Sequence, residues 1–228
     1  MSLEVARCFI GYDSKEVVAY HALVQSIVDR ASMPVTFTPI ALDMLGGVFT
    51  RERNSLQSTE FSFSRFLVPY LSGYEGWSLF ADCDMIMRAD IAELWTLRDD
   101  RYAVMCVQHD YTPRIDTKFL GQTQTKYEKK NWSSVMLFNN AKCRTLTPDF
   151  VNSASGLELH QFKWLDGDEH VGALPPEWNW LVNEYERNDG AKLVHFTDGG
   201  PYFADYRESD YADEWFSVRD RVLHVEGK

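Results

Sequence analysis

The sequence predicts an α/β domain built on a mostly parallel sheet. Three observations carry this. The first forty residues read strand, helix, strand, and two parallel strands need such a crossover. Further apolar runs at 77–81, 102–107, 134–138 and 192–196 each end in polar or glycine-bearing segments. The 228 residues, at about 150 per domain, favour one domain over several, and no repeat, low-complexity stretch or Ser/Gly linker divides them.

The elements follow in order. Residues 5–11 form a short buried strand that Gly11 ends. A helix spans about Glu16 to Arg30, because Val17, Tyr20, Leu23, Val24, Ile27 and Val28 recur at three and four; Ser14 is its expected cap. Pro34 and Pro39 bracket the β-branched strand Val35 to Ile40. Residues 43–60 are polar and loop-like. A helix from about Phe63 to Leu71 follows, with Pro69 awkward inside it. The strand 77–81 runs into Asp82-Cys83-Asp84, and Met85 to Met87 are apolar again. Leu157 to Trp164 reads as helical, and the final strand runs from Lys192 to Phe196. Loops as long as 43–60 and 108–131 exceed what packing requires and are expected to carry binding.

Composition limits the function. The chain has 34 acidic and 23 basic residues, a net charge of −11. That argues against a nucleic-acid polymer and against attachment to anionic lipid, both of which attract basic surfaces. No apolar run reaches the roughly 18 residues of a membrane span. Met1 to Arg7 includes Glu4 and lacks the apolar core of a leader peptide. Cys8, Cys83, Cys106 and Cys143 form no C-x-x-C pair, and three sit in apolar runs. Buried reduced thiols in a cytoplasmic protein are therefore expected. A protein this acidic needs a local cation to hold a phosphorylated ligand.

Asp82-x-Asp84 is the most informative local feature. Side chains at i and i+2 of an extended backbone point the same way. Two carboxylates thus converge at the end of a strand, where open α/β sheets bind ligands. They repel and raise one another's pKa unless a positive charge lies between them, and Mg²⁺ or Mn²⁺ supplies one. Taken alone the pair also reads as a turn cap and a solvated acid, but apolar runs on both sides disfavour a solvated face. His195 ends the late strand before Gly199-Gly200-Pro201. It reads either as a core histidine or as a neutral imidazole ligand that suits Mn²⁺.

These residues resemble retaining glycosyltransferases of the GT-A fold, family 8, the glycogenin and galactosyltransferase group, in a divergent branch. The matching stretches are Phe9-Ile10-Gly11-Tyr12-Asp13-Ser14, Phe63-Ser64-Arg65-Phe66-Leu67, Phe80-Ala81-Asp82-Cys83-Asp84, and Val194-His195-Phe196 with Gly199-Gly200; together they cover about residues 6–201. The resemblance implies a single GT-A domain over 1–228, with a nucleotide-binding half at about 1–110 and an acceptor and donor-sugar half at about 111–228. Gly11, Tyr12 and Asp13 would cradle the base and ribose. Asp82, Asp84 and His195 would hold Mn²⁺ or Mg²⁺ against the diphosphate, with Arg65 over the donor and Gly199 and Gly200 close to it.

The chain departs from that pattern in three places. Trp132-Ser133-Ser134 stands where the family has Asn-Ala/Ser-Gly, so Ser133 or Ser134 would meet the donor sugar. Leu165-Asp166-Gly167-Asp168 replaces an Asp-Gln-Asp run. The lysine usual after His-x-x-Gly is missing, which turns attention to Lys118, Lys126, Lys129 and Lys130.

The expected chemistry is transfer of a sugar from a nucleotide-sugar, UDP-linked by resemblance, to an acceptor hydroxyl. Asp166 and Asp168 are the expected catalytic pair, acting as nucleophile, positive-charge stabiliser or sugar-hydroxyl acceptor; the alternative is an exposed acidic turn around Gly167. Trp164, Trp178, Trp180, Tyr185, Tyr202 and Phe203 either stack on sugar or fill the core. Competing classes are a non-catalytic nucleotide-sugar-binding module, a nucleotidyltransferase, for which Gly11-Tyr12-Asp13-Ser14-Lys15 is glycine-poor, and a metal-dependent hydrolase.

Overall fold

A computed structural model describes residues 4–53, 57–110 and 128–224. Nine strands, β1 (Ala6–Gly11), β2 (Val35–Ile40), β3 (Trp77–Ala81), β4 (Met85–Met87), β5 (Val104–Val107), β6 (Val135–Asn139), β7 (Val171–Leu174), β8 (Trp180–Leu181) and β9 (Leu193–His195), form two sheets among the described residues. The larger has the order β2-β1-β3-β6-β5-β7 and is parallel except for β6, which runs against both neighbours. The smaller has the order β4-β9-β8, with β9 antiparallel to β4 and parallel to β8.

The helices are α1 (Val17–Val28), α2 (Val68–Leu71), α3 (Ile91–Trp95), α4 (Pro148–Ser153), α5 (Gly156–His160) and α6 (Ala212–Val222). The opening unit is as the sequence predicts: β1 pairs in parallel with both β2 and β3. Helix α1 starts at Val17, and its cap position is Glu16, not Ser14. Ser14 instead donates from Oγ to Glu60 Oε1 at 2.7 Å. Phe63 to Leu71 forms a 3-10 turn, Ser64–Leu67, before the short α2. Pro69 falls in the first turn of α2, where a missing N–H costs nothing. The stretch expected as a helix over Leu157 to Trp164 stops at α5, because Phe162 has φ +56°. A capping box starts it: Glu158 N–H donates to Ser155 Oγ and Ser155 N–H to Glu158 Oε2.

One core fills the space between the larger sheet and its helices, from Ile10, Leu23 and Leu79 to Phe138 and Trp178. A second, around Ile86, Val194, Phe196 and Trp215, sits between the smaller sheet, α1 and α6. Tyr202 packs against both. All four cysteines are buried and free, as expected.

Candidate metal centre

The two sheets meet where β3 gives way to β4, and Asp82-Cys83-Asp84 is that junction. Backbone bonds fix it from both sides. Asp82 N–H donates to Ser134 O at 2.9 Å, and Asp84 O accepts from Phe196 N–H at 2.9 Å. The register pair Met85↔His195 between β4 and β9 then sets His195 beside Asp84. One ligand atom from each of Asp82, Asp84 and His195 lies within 4.8 Å of the others, and all three residues are buried.

Asn179 fixes the imidazole. Its amide nitrogen donates to Ser134 Oγ at 2.8 Å and to Asn131 O at 3.2 Å, so its Oδ1 faces His195 Nδ1 at 3.0 Å as an acceptor. His195 thus carries its proton on Nδ1 and turns Nε2 toward Asp84 Oδ1, 3.3 Å away. A nitrogen lone pair and a carboxylate oxygen at that distance repel unless a proton or a cation lies between them. Two hard oxygens and one imidazole suit Mn²⁺ or Mg²⁺, so the donor set fits the ion the sequence implies.

Arg65 closes the other side. Its Nη1 lies 2.7 Å from Asp82 Oδ1 and donates to Ser133 O at 2.8 Å. The guanidinium lies near the rings of Phe61 and Phe80, 5.2 and 5.0 Å from their centroids. Ser133 Oγ meets His160 Nδ1 at 2.7 Å. Burial first, then Arg65 and Arg51, push the His160 imidazole down to about 3, so the ring meets the serine hydroxyl in its neutral form. No local sequence motif marks His160 or Asn179 as part of this centre.

The first loop lies at the end of β1. Asp13 is buried; it accepts from Lys15 N–H at 2.9 Å and Glu60 N–H at 3.0 Å, which ties Glu60 to the first loop. A Cβ on Gly11 would lie 2.6 Å from the Phe61 ring. Tyr12 is half-buried against the edge of Tyr20. Gly199, at φ +148°, donates to Phe196 O at 2.9 Å, so the turn after His195 needs its glycine.

Other expected residues are not among the three clustered ligands. Asp166 and Asp168 are exposed, and Asp168 is ion-paired with Lys129. Lys118 and Lys126 lie outside the described residues, whereas Lys130 is buried one residue before Asn131. Among the aromatics, Trp178 is in the core and Trp180 packs against Tyr185 with ring centroids 5.2 Å apart. Burial also pushes the Cys83 thiol and the Tyr202 phenol well up.

No family model matches the chain. It is 49% identical over 220 residues to Protein CDI of Arabidopsis thaliana, covering 92% of this chain and 85% of that protein. The chain belongs to the CDI family. Among solved structures, this CDI relative is similar to the bifunctional glycosyltransferase WbbM, with TM-score 0.68 and 13% identity over 96% of the chain. It is similar to the glycosyltransferase GlyE of Streptococcus pneumoniae TIGR4, with TM-score 0.61 and 11% identity over 95% of the chain. The chain spans half the length of WbbM and 60% of GlyE. The galactosyltransferase LgtC, solved with donor and acceptor sugar analogues, matches with TM-score 0.60 and 12% identity over 94% of this chain and 95% of its own. The CDI family member therefore has the GT-A fold. Among the described residues, no helix is long and apolar enough to cross a membrane.

Proposed function

We propose that this protein is a metal-dependent glycosyltransferase that moves a sugar from a UDP-sugar to an acceptor hydroxyl with retention. The observation that carries this reading is the Asp82, Asp84, His195 cluster, whose ligand atoms lie within 4.8 Å of one another in a GT-A fold. Retention and UDP rest on the family 8 resemblance, and the four buried thiols support a reducing, cytoplasmic setting.

Asp82, Asp84 and His195 would hold Mn²⁺ or Mg²⁺, and the ion would neutralise the leaving diphosphate as a Lewis acid. The chain's own residues supply the rest. Gly11, Tyr12 and Asp13 bind the nucleoside, with Asp13 held rigid by two backbone N–H groups. Arg65 orients Asp82 and fixes the Ser133 carbonyl. Ser133 and Ser134 stand next to the ligands and position the sugar, while Gly199 and Gly200 let the backbone approach it. Orientation of donor and acceptor supplies much of the rate. Asp166 and Asp168 are the proposed carboxylates near the anomeric carbon, where an oxocarbenium-like charge develops. Their exposure requires the bound donor to cover them.

Calorimetry of UDP with and without Mn²⁺ tests the reading. Tighter binding with the ion is expected, and Asp82→Ala, Asp84→Ala and His195→Ala should each remove the gain. Unchanged affinity in all three would sink the metal assignment. Release of UDP from UDP-sugars separates an enzyme from a binding module, and the anomeric proton coupling of the product reads the stereochemistry.

A further inference from the structure

Glu16 departs from two local rules at once. It occupies the cap position of α1, where Ser, Thr, Asp or Asn accept from the first helical N–H groups, yet it makes no capping bond. The side chain turns inward instead, and the residue is 1% exposed. Oε2 accepts from Tyr202 Oη at 3.1 Å and from Cys83 Sγ at 3.6 Å. Oε1 is buried without a hydrogen-bond partner. Burial first, then Asp84 and Asp13, push this carboxyl up to about 8. An acid held this way costs stability, and such costs gather at functional sites.

Its two partners show what the cost achieves. Cys83 stands between the two ligand carboxylates, and its thiol points to Glu16. Tyr202 belongs to the segment that follows His195, packs against Trp215 with ring centroids 5.3 Å apart, and occupies the space where a Cβ on Gly200 would lie 2.1 Å from its ring. One buried carboxyl therefore joins Cys83, which lies between two of the ligands, to Tyr202, in the segment that follows the third. We propose that Glu16 is a positioning residue for the Asp82–Asp84–His195 centre, pinning the Cys83 turn to the Tyr202 segment that follows His195 so that the three ligands keep cation-binding spacing. This rests on the metal reading above. Partners hydrogen-bonded directly to a metal's ligands typically carry 10–100-fold in affinity, and Glu16, one bond further out, is expected at the low end of that range.

The test is Mn²⁺ calorimetry on the full chain, with thermal melting recorded in parallel. Glu16→Ala is expected to weaken Mn²⁺ at least about tenfold, whereas Glu16→Gln, which keeps an acceptor for Tyr202 and Cys83, stays within about threefold of wild type. Tyr202→Phe is expected to weaken Mn²⁺ measurably, and the Glu16→Ala/Tyr202→Phe pair to lose no more than Glu16→Ala alone. UDP affinity without metal should be unchanged in every variant, which a general loss of structure would not allow. Glu16→Ala within twofold of wild type while Asp84→Ala abolishes binding overturns the proposal and leaves the metal reading intact. If Glu16→Ala fails to fold, wild-type Mn²⁺ affinity in Tyr202→Phe overturns it. Wild type and Asp84→Ala alike failing to bind Mn²⁺ overturns both.

Discussion

His195 Nε2 faces Asp84 Oδ1 across 3.3 Å, and Asn179 holds the other imidazole nitrogen at 3.0 Å. The second contact determines the first, because an imidazole free to rotate would not present a lone pair to the carboxylates. Asn179→Ala removes the acceptor of Nδ1–H and also leaves Ser134 Oγ without its amide donor. Mn²⁺ affinity is expected to fall roughly 10–100-fold in this variant. Calorimetry checks it; an undiminished affinity would mean that β9 alone orients the ring.

Arg65 yields a stability prediction with a metal dependence. It is buried with its charge on Asp82 and one N–H on the Ser133 carbonyl. Arg65→Met leaves the buried Asp82 carboxylate without that cation, and breaking a buried pair from one side costs roughly 3–5 kcal/mol. Urea unfolding without metal should show a loss of that order. Saturating Mn²⁺ should return part of it, because the ion supplies positive charge to the same carboxylate. An equal deficit with and without Mn²⁺ would separate Arg65 from the metal centre.

The sequence made the ligands legible and left their supports hidden, for a physical reason. Apolar strands that end in a polar pair or a histidine mark a sheet edge, so β1, Asp82-Cys83-Asp84 and His195 stand out from pattern alone. Arg65 is marked by its neighbours in the sequence, but its bridge from Asp82 to Ser133 spans 68 residues to the serine and has no periodic signature. Asn179 sits in Pro-Pro-Glu-Trp-Asn, a stretch with no helical or strand period, and acts only because β8 brings it to β9. Glu16 reads from sequence only as the start of a helix; its inward turn depends on Tyr202, 186 positions away. The α6 helix escapes the pattern because its apolar stripe is narrow, Ala212, Trp215 and Val218, and because Tyr211 stands at its start without a capping side chain.

Gly11 predicts a steric limit on the first loop. An added Cβ would lie 2.6 Å from the Phe61 ring, which itself packs toward Phe80 at a centroid distance of 6.3 Å. Gly11→Ala must therefore move Phe61 or β1, at a cost of about 1–3 kcal/mol. A lower melting temperature together with weakened UDP binding is expected. A neutral effect on both would show that Phe61 has a second resting place.

Acid should unfold this protein through two buried imidazoles. Burial pushes both His109 and His160 down to about 3, with His195 adding to the effect on the first and Arg65 on the second. In the unfolded chain each titrates near 6.5. Between about pH 6.5 and pH 3 the unfolded state thus binds more protons than the folded one, so stability rises with pH and falls as pH drops. Each histidine contributes a slope of about 1.4 kcal/mol per pH unit in that window, fully developed only once pH is well below 6.5. His160 is the better one to vary, since Ser133 Oγ at 2.7 Å is its polar side-chain contact and His109 lies nearer His195. His160→Gln keeps an acceptor for Ser133 but has no proton to gain. Its urea-derived stability between pH 4 and pH 6 should show roughly half the wild-type histidine slope. Parallel wild-type and His160→Gln curves across that window would mean that His160 stays solvated enough to protonate in the folded state.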